Sequence, residues 1–326
     1  MTELYFLDQD FAVIDGPVED MTSVVFSERY FESGTFTLHF PRELAGRAAD
    51  AVYVRSGIMP AGHIFCGRVE YFHADSGGDC EMGGHLLECL LDDRVLRGGP
   101  WSGTVTEAVL GAVEDNLRLS PVRIGRDHAA IPEFVTLSAD WESLSAWLSR
   151  VLKPYGASYR VNLGDDDVPE FCVIRGENLE NVIFSASFGN IFSIESKRSS
   201  SGMKNAVYVE GGDGCVVFAD LSGGGEVREM YKKAPDIIPG NFTDEAEYRQ
   251  ALLRRGYEIL AGYPVKLEVS AEIDSGALPV YGKDYRLGDV CSVVDEELGV
   301  SLPLRLTRVD WVMENGAAAV YPVFGS

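Results

Sequence analysis

Basic residues are scarce in this chain. Its 326 residues hold 51 Asp and Glu against 28 Lys and Arg, a formal net charge of -23. Coating nucleic acid needs clustered Lys and Arg. The basic pairs here, Lys197-Arg198, Lys232-Lys233 and Arg254-Arg255, stand isolated. A nucleic-acid coat is therefore excluded. A lumen lined by an acidic surface would repel DNA and let it slide; solubility is the simpler use of the same charge. Long apolar runs are also missing. None approaches the roughly 20 residues that span a bilayer, so no membrane segment is expected. Met1-Thr2-Glu3 lacks the basic region of a signal peptide, which points to cytoplasmic synthesis without export. The cysteines, Cys66, Cys80, Cys89, Cys172, Cys215 and Cys291, form no Cys-x-x-Cys pair. They read as buried free thiols, not as a disulfide framework.

Catalytic signatures are missing as well. There is no His-Glu-x-x-His, no Gly-x-Ser-x-Gly and no phosphate-cradling glycine loop. His85 and Cys89 have a spacing that shares a metal on a helix, but their segment reads as strand and no second pair completes a site. Ser201-Gly202-Met203-Lys204 matches Ser-x-x-Lys without the partner motifs that chemistry requires. Its Ser/Gly context reads as a flexible linker. Asp165-Asp166-Asp167 and Asp295-Glu296-Glu297 lack the spaced ligands of a calcium loop and read as solvated turns. Asn241-Phe242-Thr243 is a glycosylation triplet better read as a helix cap. No catalytic, cofactor-binding or metal-binding residue is assigned, and no cofactor is expected.

What is present is β-strand patterning, clearest from Asp284 to Gly325. Val290 to Val294 reads as a strand, and Asp295 to Gly299 as an acidic turn. Leu302, Leu304 and Leu306 then alternate with polar neighbours, but Val309, Trp311 and Met313 carry the apolar face afterwards. One extra residue near Thr307 or Arg308 restores the register, as a β-bulge does. Glu314-Asn315-Gly316 supplies a hairpin turn into Ala317 to Phe324. A long bent strand in a short meander suits a small closed barrel.

The first hundred or so residues also read as all-β. Leu4, Phe6, Phe11 and Val13 flank Asp8-Gln9-Asp10 in a first hairpin, and Asp15-Gly16-Pro17 reads as a turn. Met21 to Tyr30 and Gly34 to Phe40 form two paired strands. Ala51 to Arg55, His63 to Phe72 and Cys80 to Leu91 follow. The texture changes at Gly98-Gly99-Pro100. Thr104-x-x-Glu107 is a capping box before an amphipathic helix. A second helix is predicted from Asp140 to about Lys153, then strands Ala157 to Val161 and Glu170 to Arg175. Beyond Phe192, strands return around one helix capped by Thr243 and running to about Ala261. The fold class is mainly β with an α+β insert. Two β-barrel domains, 1–99 and 190–326, flank an insert at 100–189.

Several stretches are familiar. Residues 1–41 resemble the start of siphophage tail proteins of the ReqiPepy type. An Arg-Tyr-x-x-x-Gly-x-Phe-x-Leu strand there is matched by Arg29, Tyr30, Gly34, Phe36 and Leu38. Lys204 to Gly212 looks like that family's mid-chain strand and turn. The close, from Tyr285 to Gly316, looks like its C-terminal barrel, a pattern shared more distantly by phage baseplate hubs. The resemblance implies a non-enzymatic hub at the virion tail tip. It implies a homotrimer whose six similar barrels ring a channel for DNA. Its partners would be the tail tube or a distal tail protein on one side and a central spike or fibre on the other. Two alternatives stand beside it: a tail-associated cell-wall hydrolase, and a receptor- or glycan-binding module. The second would need exposed aromatic platforms, whereas Trp101, Trp141, Trp147 and Trp311 sit where packing explains them.

Overall fold

A computed structural model describes residues 3–57, 63–75, 78–273, 278–296, 299–314 and 317–325. The expected turn at Asn315-Gly316 and part of the acidic run, Glu297, lie outside them.

The expected phase slip organises the molecule. Val300–Glu314 is one strand of 15 residues. Its register against Ala317–Gly325 shifts between Leu306 and Arg308, so Thr307 is the extra residue. Leu304, Leu306, Val309 and Trp311 are buried on one face, as the pattern required. Leu302 departs from it and is exposed. Before the bulge the strand pairs with Val290–Asp295, and after it with Ser23–Arg29. Thr307 therefore hands one strand from a C-terminal neighbour to an N-terminal one.

That exchange corrects the expectation of two closed barrels. Among the described residues, most strands of the two expected barrels share one 13-stranded, open sheet, while Ala206–Gly211, Val216–Asp220 and Glu229–Ala234 form a sheet of their own. From Val300–Glu314 it runs one way through Ala317–Gly325 and Lys266–Ile273 to Ile191–Ser199. The other way it runs through Ser23–Arg29, Thr35–Pro41, Asp79–Leu86, Cys66–Ala74, Tyr53–Ser56 and Leu4–Leu7 to Val13–Val18. Asn178–Ser185 pairs in parallel with Val290–Asp295. Hydrogen-bonding demand at the end of one unit is thus met by the other instead of by closure. The core beneath draws on both halves of the chain, with Phe26, Phe36 and Phe40 beside Phe184, Trp311 and Phe324.

Residues 100–189 build most of a second core. Thr104 caps Val105–Asn116 with the expected reciprocal box: its hydroxyl accepts from the Glu107 amide, and the Glu107 carboxylate accepts from the Thr104 amide at 2.9 Å. Trp147 and Leu148 on Leu144–Leu152 pack into the same core. Ala157–Leu163 and Pro169–Arg175 form the expected hairpin. A third core lies between the sheet Val216–Asp220, Ala206–Gly211, Glu229–Ala234 and the helix Glu245–Ala261. That helix is capped by Asp244, not Thr243; the Asp244 carboxylate accepts from the Glu247 amide at 2.8 Å.

Three local expectations change. Asp15-Gly16-Pro17 lies within the strand Val13–Val18, where a register shift opposite Tyr5 makes room for it. Gly16 has φ +136, which L side chains rarely adopt, and proline is tolerated because this strand ends the sheet. Gly98-Gly99-Pro100 likewise falls inside a strand, Val95–Thr104, paired with Phe134–Ser143 through another register shift. Asp140 to Ser143 therefore belong to a strand, and the helix begins at Leu144.

Candidate interaction surfaces

The motif-like residues hold backbone in place. Tyr30 is buried; its hydroxyl donates to the Gly156 carbonyl at 3.0 Å and accepts from the Gly176 amide at 2.9 Å. Its own amide donates to the Thr307 carbonyl, at the bulge. One tyrosine thus joins the N-terminal strands, the insert and the long C-terminal strand. Gly34 admits no side chain, since a Cβ would lie 2.5 Å from the Ser27 carbonyl and from Leu86. Phe36 and Leu38 fill the core. Asp289 accepts from the Glu177 and Arg286 amides, both at 2.7 Å. In the mid-chain stretch, Asn205 bridges Glu226 and Arg228 through their backbone groups.

The sequence candidates for chemistry do not come together. His85 pairs with Glu70 at 2.7 Å on the sheet. Cys89 is buried on the helical turn Cys89–Asp92, not on a strand. Burial pushes its thiol up to about 12, so it stays protonated. Asp166 is held by Arg123 and Asp167 by Arg55. No group of three or more His, Cys, Asp or Glu suited to a metal occurs among the described residues. None of their helices is long and apolar enough to cross a membrane.

Sequence reasoning missed a buried charge centre. Arg160 reaches from the insert to Glu88 Oε1 at 3.3 Å and Glu28 Oε1 at 3.4 Å. Glu28 Oε2 also accepts from Trp311 Nε1 at 3.0 Å and Tyr281 Oη at 3.4 Å. His63 packs tilted against Trp311 and Tyr281, with ring centroids 5.0 and 5.5 Å apart. Burial pushes the Glu88 carboxyl above its usual range despite Arg160, and its Oε2 has no hydrogen-bond partner among the described residues. Burial likewise lowers His63, against the pull of Glu28. These groups come from distant sequence positions, so no local spacing announces them.

Two exposed features remain. A cleft of ≈870 Å³ opens where the main sheet, the insert and the third unit meet. Eight basic side chains and five carboxylates line it, an inversion of the chain's overall charge. On the uncovered face of the third unit's sheet, Phe218, Tyr208 and Tyr231 stand in register across three strands. They are 41%, 40% and 50% exposed. Trp141, expected in packing, is also exposed beneath Arg97.

The fold occurs in tail proteins of known structure. A 43 kDa tail protein of a Shewanella oneidensis prophage superposes with TM-score 0.62 at 12% identity, covering 99% of this chain and 97% of that one. A tail protein from Neisseria meningitidis gives 0.63 at 12%, covering 100% and 96%. A prophage tail protein from Listeria monocytogenes gives 0.59 at 14%, covering 99% and 94%. No curated protein matches the sequence. Residues 3–326 match the family described as Siphovirus ReqiPepy6 Gp37-like protein.

Proposed function

The chain belongs to the Siphovirus ReqiPepy6 Gp37-like family, and from this we propose that it is a structural hub protein of a phage or prophage tail. The full-length family match carries the reading. The shared fold of prophage tail proteins supports it at the level of architecture. In finer detail, three copies form a ring at the virion tail tip. The ring joins the hexameric tail tube, or a distal tail protein, to a threefold spike or fibre. Its lumen passes DNA without holding it, which suits a net charge of -23. Residues 1–99 and 190–326 are the two hub portions and 100–189 the insert. The chain acts by geometry and carries no catalytic residues of its own.

Mass in solution and negative-stain imaging test this. The expected species has three times 35.6 kDa and a central hole, alone or on addition of tail-tube protein. A chain that forms no ring under either condition sinks the proposal.

The aromatic row Phe218, Tyr208, Tyr231 favours one second reading, a receptor- or glycan-binding module. Binding of the isolated protein to host cell walls, lost in Tyr208→Ala/Phe218→Ala, would support it.

A further inference from the structure

The basic cleft is out of character for so acidic a chain. Four of its five carboxylates are already committed, Glu32 to Arg29 at 2.6 Å. Arg150 holds Glu142 at 2.7 Å and Glu258 at 3.0 Å, and Arg255 holds Asp236 at 2.6 Å. Lys153, Lys232 and Lys266 also line the cleft, and none has a carboxylate within 4 Å among the described residues. Lys153 rests instead over the Phe31 ring, 5.3 Å from its centroid. Burial, then the charge of Lys266, holds its amine below the usual lysine range. These cations are therefore kept close at a cost that an incoming anion would relieve.

We propose that this cleft seats an acidic loop of a second copy of this chain. The inference rests on the ring reading above and names the contact that builds the ring. Charge complementarity selects the occupant: 51 carboxylates leave the rest of each copy's surface acidic, and the cleft is where the sign reverses. Phe31, Ile259 and Tyr263 line the cleft along with the cations, and such a mixed apolar and charged wall suits a protein loop better than a phosphate backbone. A seat on one copy and a loop on the next form a heterologous contact, the kind that closes into rings. Repulsion between two such acidic copies is screened beyond about 8 Å at physiological salt, so local pairing decides whether they meet.

Sedimentation velocity over a concentration series tests this on the full chain. Lys153→Glu/Lys266→Glu should weaken self-association at least about tenfold, and Lys283→Glu, outside the cleft, should leave it unchanged. Lys232→Glu/Lys266→Glu, at two exposed side chains, repeats the test if the partly buried Lys153 position disturbs folding. Variants that form the ring as readily as wild type overturn the seat and leave the ring reading standing. A wild-type chain that forms no ring, alone or with tail-tube protein, overturns both. Duplex DNA bound by wild type and released by the same substitutions reassigns the cleft and overturns the proposal.

Discussion

Arg160 is one guanidinium answering two carboxylates in a dry place, and removing it should be costly. Arg160→Met leaves Glu28 and Glu88 buried without their cation. It should destabilise by about 3–5 kcal/mol near neutral pH, read from urea midpoints. Glu88 behaves differently. Its folded carboxyl binds a proton more readily than the unfolded one, so its contribution is present in acid and lost as pH rises through the raised value. Glu88→Gln should therefore gain on wild type as pH rises above the usual carboxylate range; a difference that does not change with pH there would refute the assignment. Asp236 has the opposite sign. Burial works against its charge, but the Arg255 hydrogen bonds outweigh it and hold the carboxyl low. Its contribution is present above the usual carboxylate range and lost as pH falls. Asp236→Asn should cost about 3 kcal/mol near pH 7 and flatten the acid limb of the stability curve.

At the scale of elements, local chemistry was readable and partnership was not. The Thr104 box was visible because both ends of the interaction lie within four residues. Thr104→Ala should cost about 1 kcal/mol with little change elsewhere. The bulge at Thr307 was visible because side chains alternate with period two, so a slip from Leu306 to Val309 leaves a mark in sequence. Deleting Thr307 would turn either Leu304 and Leu306 or Val309 and Trp311 out of the core, so the deletion variant should not yield a cooperative unfolding transition. The strand through Gly98-Gly99-Pro100 was hidden because those residues signal turns unless a partner imposes extension, and Phe134–Ser143 does so, with Ala139 opposite Gly98. The parallel pairing of Asn178–Ser185 left no trace either, since its exposed, polar start lacks the alternation of a half-buried strand.

For the whole molecule, the β character could be read from texture, whereas the joining of strands from both ends of the chain could not. Alternation says that a face is buried but not against what. Closure of each half and fusion of both predict the same pattern along Val300–Glu314. The shared core makes a test: residues 1–99 alone should lack a cooperative transition, because Phe26 and Phe36 pack with residues near the C-terminus. An independently folded fragment would contradict this. The long strand also sets an order of events on the ribosome. Ser23–Arg29 leaves the exit tunnel early, but its neighbour on one side, the segment from Arg308 to Glu314, is translated 279 or more residues later, since Arg308 lies opposite Arg29. At about 5–20 residues per second the nascent chain carries that open strand for on the order of 15–60 s. Pairing with Thr35–Pro41 covers only the opposite edge, so throughout synthesis the open edge must be sheltered by chaperones, and crowded polysomes are where this protein is most exposed to pairing with the wrong chain.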